Sequence, residues 1–166
     1  MSLLSSQKGF SLFEILIVIT VLSILAITSY LAIPMQINKA FDARRKTDLY
    51  KIKTNLEIYY SLAEEFPRVL PDCGQPLMYQ NEVVLASMPC DPVTLEPYYY
   101  QIKGSNPQSY RLYAMLSNVN DFSIKDAGCL GGCGPDCFFN YGVSSMNINL
   151  TRCSYVCAPG GGQLGS

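Results

Sequence analysis

Residues 10–33 read FSLFEILIVITVLSILAITSYLAI, and Glu14 carries the single charge among them. At about 1.5 Å per residue, a helix of this length spans the roughly 30 Å hydrocarbon core of a bilayer, so the stretch predicts a membrane-crossing helix. A secretory signal peptide has a shorter apolar core followed by a small-residue cleavage site, and this stretch has neither. A carboxylate inside such a span costs about 2.5 to 3.5 kcal/mol on insertion scales unless it finds a partner. Glu14 lies near the helix start, so it can alternatively reach the interface, where the helix dipole favours it. Lys8 precedes the run, whereas Lys39, Arg44, Arg45 and Lys46 follow it. The charge count alone favours retention of the following domain on the cytoplasmic side, and its export requires a dedicated pathway.

Beyond the apolar run, Pro34 removes one helical donor, so a kink is expected inside a helix that continues. Between residues 35 and 66, Phe41, Leu49, Ile52, Leu56, Tyr59, Leu62 and Ala63 recur at three- and four-residue steps, with Arg44, Lys46, Lys51, Lys53 and Glu57 elsewhere. This stripe predicts a helix packed on a sheet. The two halves together form one helix of roughly 50 residues, about 75 Å long. Pro67 sets its end near Phe66.

Composition narrows what the rest can do. The chain has 166 residues, enough for one head and an appended segment, and a net charge of -1 with 15% charged residues. No basic face large enough for direct nucleic-acid binding follows from these values. Histidine is absent, which removes the commonest general base near neutral pH and the commonest zinc nitrogen.

Prolines 71, 76, 89, 92 and 97 together with Gly74 punctuate the next segment, which is expected to be mostly loop with a short helix or strand near residues 82–86. Two clearer strands are expected at 98–103 and 109–116, the second presenting Tyr110, Leu112, Ala114 and Leu116 on one face. Gly104-Ser105-Asn106-Pro107-Gln108 joins them as a hairpin loop.

Lys8-Gly9-Phe10-Ser11-Leu12-Phe13-Glu14 resembles the N-terminal signal of type IV prepilins. The resemblance implies that a prepilin peptidase cuts between Gly9 and Phe10, releasing residues 1–9, and methylates the new Phe10 amine. It further implies a homo-oligomeric helical filament built by an inner-membrane assembly platform together with minor pilins or pseudopilins. A physical account fits these roles. The Phe10 amine and the Glu14 carboxylate are opposite charges in an apolar medium, and pairing between neighbouring subunits relieves the desolvation of both.

The head is similar to that of the G-type major pseudopilin of type II secretion in the order of Glu65-Phe66-Pro67, Pro89-Cys90-Asp91-Pro92, Pro97-Tyr98-Tyr99-Tyr100 and Tyr110-Arg111-Leu112-Tyr113. It departs from that pattern at Val93-Thr94-Leu95-Glu96. It departs again where that family has a calcium loop and this chain has Ser117-Asn118-Val119-Asn120-Asp121. Asn118, Asn120, Asp121 and Asp126 offer oxygen ligands for calcium, and equally compose an ordinary surface loop. No cofactor or metal is expected, with calcium as the alternative that these oxygens leave open.

Seven cysteines all lie after the apolar run: Cys73, Cys90, Cys129, Cys133, Cys137, Cys153 and Cys157. In an exported head they are expected to form disulfides, Cys73 with Cys90 first, with one of the five tail cysteines left over. The three-residue gaps between the tail cysteines differ from zinc-knuckle and iron–sulfur spacing. Asn149-Leu150-Thr151 is a glycosylation sequon.

The sequence therefore predicts an α+β, pilin-like chain. Its parts are a leader (1–9), an assembly helix (10–33), an amphipathic continuation (34–66), a head on a small antiparallel sheet (67–126) and a Cys- and Gly-rich, loop-dominated tail (127–166). The expected role is structural, without catalysis. The subunit is expected to sit as a single pass in the inner membrane before assembly and in a periplasmic or extracellular filament afterwards. A type II secretion pseudopilin is the first reading. A pilus subunit for adhesion, motility or DNA uptake is the second, and a membrane-anchored binding module or enzyme is a remote third.

Overall fold

The computed structural model describes residues 11–102, 107–151 and 153, and only the backbone of 28–35. Gly9, Phe10, Cys157 and the tip of the expected hairpin loop lie outside the described residues. The chain divides after Ile37 into two compact units.

One helix, α1 (Leu12–Ala63, 52 residues), runs through both units and continues through Pro34. Up to Ile27 its large apolar side chains are exposed on every side of the helix. From Asn38 onward it is one-sided. Leu49, Ile52 and Leu56 are fully buried at successive turns, each contributing roughly 1.5 to 3 kcal/mol through burial. The expected stripe needs one correction, because Leu62 is exposed. The helix also stops three residues before Phe66. Glu64 takes a left-handed conformation (φ 58°), and the Gln108 side chain donates to its carbonyl at 2.9 Å. Phe66 is then free to leave the helix and bury against the Tyr110 ring, with centroids 4.7 Å apart.

A two-stranded antiparallel ribbon follows, β1 (Leu77–Tyr79) with β2 (Glu82–Leu85). The second strand lies where a short element was expected, whereas the first was hidden among prolines. The main sheet is an antiparallel meander of β3 (Tyr99–Ile102), β4 (Tyr110–Ala114) and β5 (Tyr141–Ser144), in the order β3-β4-β5. Between β4 and β5 lie a short helix, α2 (Phe122–Asp126), and a single 3-10 turn at Pro135–Cys137.

The central strand, β4, differs from its sequence pattern. Tyr110, Leu112 and Ala114 are buried as alternation predicts, but Tyr113 on the opposite face is buried as well. The cysteine-rich segment covers it. Phe139 stacks on Tyr113 at 5.5 Å and on Tyr99 at 5.3 Å. Gly134 (φ 77°) permits this approach, because a Cβ there would come within 2.9 Å of the Phe139 ring. The same segment supplies β5, and Asn140 extends the ladder by bonding both the N–H and the C=O of Leu116 at 2.7 and 2.9 Å. A stretch with almost no hydrophobic periodicity thus completes the sheet and caps its second face.

Disulfides hold these irregular parts. Cys73 pairs with Cys90, Cys129 with Cys133 and Cys137 with Cys153. The first closes the loop around the β1–β2 ribbon, and the other two pin the turns that present Phe139.

Candidate functional site

Two sites follow from this architecture, one in each unit. The first is the start of α1. Leu12, Phe13, Ile15, Leu16, Ile17 and Val18 stand exposed, and the same pattern continues to Ile27. The polar side chains in this segment are satisfied by the helix itself, since Thr20 Oγ1 donates to the Ile17 carbonyl at 2.8 Å and Ser23 Oγ to the Ile19 carbonyl at 2.7 Å. Glu14, in the first turn, has no ion-pair or hydrogen-bond partner among the described residues. A helix that is apolar all round is stable only with apolar material around it, either lipid or other helices. Among the described residues no helix is long and apolar enough to cross a membrane; within the expected span of 10–33, residues 28–33 are described by backbone only.

The second site is a buried cluster of charges within the head. On α1, Asp42, Arg45 and Asp48 are buried in phase with Leu49, Ile52 and Leu56, so one helix face changes from charged to apolar along its length. Arg45 grips Asp91 with two bonds, Nε to Oδ2 at 2.6 Å and Nη2 to Oδ1 at 3.1 Å, and gives Nη1 to Asp42 Oδ1 at 3.0 Å. Asp42 in turn accepts the N–H of Ser117 at 2.8 Å and of Asn118 at 2.9 Å. Asp91 accepts the N–H of Val93 and of Thr94, fixing the turn that follows Cys90. Asp48 accepts the Tyr98 hydroxyl at 3.0 Å.

These contacts shift the groups as charge pairing requires. The hydrogen bond to Asp91 raises the Arg45 pKa against the effect of burial. Burial works to raise the Asp91 pKa, but Arg45 and the two backbone donors outweigh it and hold that carboxyl below its ordinary value. Burial, with the Asp48 carboxylate adding to it, pushes the Tyr98 hydroxyl well above its ordinary range.

Of the four residues that offer oxygens for calcium, Asn118 and Asp121 have protein partners. Asp121 caps α2 by accepting from the Ser123 N–H at 3.0 Å, and Lys46 Nζ sits 2.8 Å from its other oxygen. The Lys46 contact, with the Ser123 donors, lowers its pKa to about 2. Asn118 accepts the Asn120 N–H at 3.2 Å, and Asp126 lies at the end of α2. Among the described residues no group of three or more Cys, Asp or Glu side chains is placed to hold a metal ion. The six described cysteines are all paired, so none of them is a thiolate nucleophile.

Glu14 and the cysteines stand out in the sequence as candidate site residues, and six of those cysteines are paired in the structure, whereas the cluster of Asp42, Arg45 and Asp91 was missed. The signal was available as charges at 42, 45 and 48, three apart and in register with the apolar stripe.

Residues 4–30 match the model of the prokaryotic N-terminal methylation motif. No curated protein and no solved structure matches the chain. The chain therefore carries the prokaryotic N-terminal methylation motif, the prepilin-type signal of type IV pilins, ahead of an α+β head.

Proposed function

We propose that this chain is a structural subunit of a type II secretion pseudopilus. Prepilin peptidase cuts it after Gly9 and methylates Phe10, and residues 10–33 hold it as a single pass in the inner membrane. An assembly platform then transfers it into a helical filament. The observation that carries the reading is the all-round exposure of apolar side chains from Leu12 to Ile27 with one carboxylate, Glu14, in the first turn. Such a surface suits lipid before assembly and a bundle of identical helices afterwards. In the filament the Glu14 carboxylate answers the Phe10 amine of a neighbouring subunit and sets axial register. The order of head segments around Asp91 and β4 supports the pseudopilus.

Three disulfides among the described residues favour a second reading, a surface pilus exposed to an oxidising and proteolytic exterior. Deletion of the coding sequence, with imaging by antibody against the head, separates the two. The first reading expects loss of protein export and label confined beneath the outer membrane. Long labelled surface filaments with intact export would contradict it and support the second.

A further inference from the structure

We propose that Arg45 and Lys46, adjacent cations on α1, hold the loop 117–121 in the role that a bound calcium ion would otherwise have, so that the head keeps this loop in place without a metal. The inference does not depend on which filament the subunit builds.

Consecutive helix residues point about 100° apart, so two neighbouring cations can reach opposite ends of one loop. Arg45 takes the start of the loop: it orients Asp42, which holds the N–H groups of Ser117 and Asn118, and its Nη1 also reaches Ser117 Oγ at 3.0 Å. Lys46 takes the end, with Nζ on Asp121 at 2.8 Å and on Ser123 Oγ at 3.4 Å.

Calcium requires six to eight oxygens at roughly 2.3 to 2.6 Å. Asp42 and Asp121, the carboxylates bonded to this loop, do not offer them. Both Asp42 oxygens accept protein donors, Asp121 divides its oxygens between the α2 cap and Lys46, and an ammonium already stands where a cation would bind. Calcium would have to displace several hydrogen bonds and approach a positive charge. Calcium, which the head family holds in the loop at this place, therefore does not fit Asp42 and Asp121 as they are bonded here. The cations are covalently part of the helix.

The test is thermal unfolding of the full-length protein in detergent micelles, in excess calcium and in excess chelator. The midpoint should be the same in both. Lys46→Gln should lower it by several degrees and Lys46→Arg should restore most of the loss, because a cation again reaches Asp121. Arg45→Gln should lower it further. If that variant does not fold, the partly exposed Lys46 decides alone. A wild-type midpoint that falls in chelator and recovers with calcium would overturn the proposal. So would a Lys46→Gln protein as stable as wild type.

Discussion

Arg45 and Asp91, separated by 46 residues in sequence, meet in a two-point contact of 2.6 and 3.1 Å with both side chains nearly withdrawn from solvent. The contact ties α1 to the turn that follows the Cys73–Cys90 disulfide, so the long helix and the proline-rich loop share one anchor.

Removing one member strands a buried charge. Arg45→Met or Asp91→Leu should each cost about 3 to 5 kcal/mol, whereas Arg45→Lys, which keeps the charge and loses the planar fork, should cost less. Denaturant midpoints of the full chain in detergent check this. Midpoints equal to wild type for both single variants would show that the contact adds nothing.

The lowered carboxyl pKa values fix a pH response. Asp121 titrates near 2 in the folded head against an ordinary value of 3.8, and Asp91 is shifted in the same direction. A group depressed in this way stabilises fully above its unfolded pKa, and that stability is lost as pH falls through the folded value. The head should therefore be at full strength above roughly pH 5 and weaken progressively toward about pH 2, and Asp121→Asn should flatten part of that slope. A stability profile level across this acid window would contradict the ion-pair assignments.

The disulfides should differ in weight. Closing loops of 17 and 16 residues, Cys73–Cys90 and Cys137–Cys153 should each contribute about 3 kcal/mol, and the 4-residue Cys129–Cys133 loop about 2 kcal/mol by chain entropy alone. Cys129 and Cys133 are completely buried, so paired serine substitution there adds a cost for buried hydroxyls. Paired serine variants compared by denaturant unfolding test the order. A Cys137/Cys153 variant indistinguishable from wild type would remove that staple from the account.

Glu14→Ala separates insertion from assembly. Losing a charge from the apolar segment eases membrane insertion, and cleavage after Gly9 should proceed, while filament yield should fall severely. Pelleting of sheared filaments against total subunit measures this, and normal yield would count against a register role for Glu14.

Much of this fold was legible in the sequence because it rests on local periodicity. Leu49, Ile52 and Leu56 mark the packed face of α1, and the alternation of Tyr110, Leu112 and Ala114 marks β4. What stayed hidden depends on partners far away in the chain. Tyr113 is covered by Phe139, which crosses back over it, and no pattern within β4 announces that contact. β5 contains Gly142, whose Cβ would meet the Leu112 carbonyl at 2.6 Å, so close strand packing required a residue that reads as a loop former. The charged face at Asp42 and Arg45 was obscured because charges normally mark the solvated side of a helix. Here Asp91, brought near by the proline-rich loop, makes burial affordable.

Processing at Gly9, followed by assembly through the helix behind it, is read out by mass spectrometry of the N-terminus in assembled material. The expected species begins at Phe10 and carries one methyl group on its amine. An intact terminus at Met1 or Ser2 in assembled material would contradict the account.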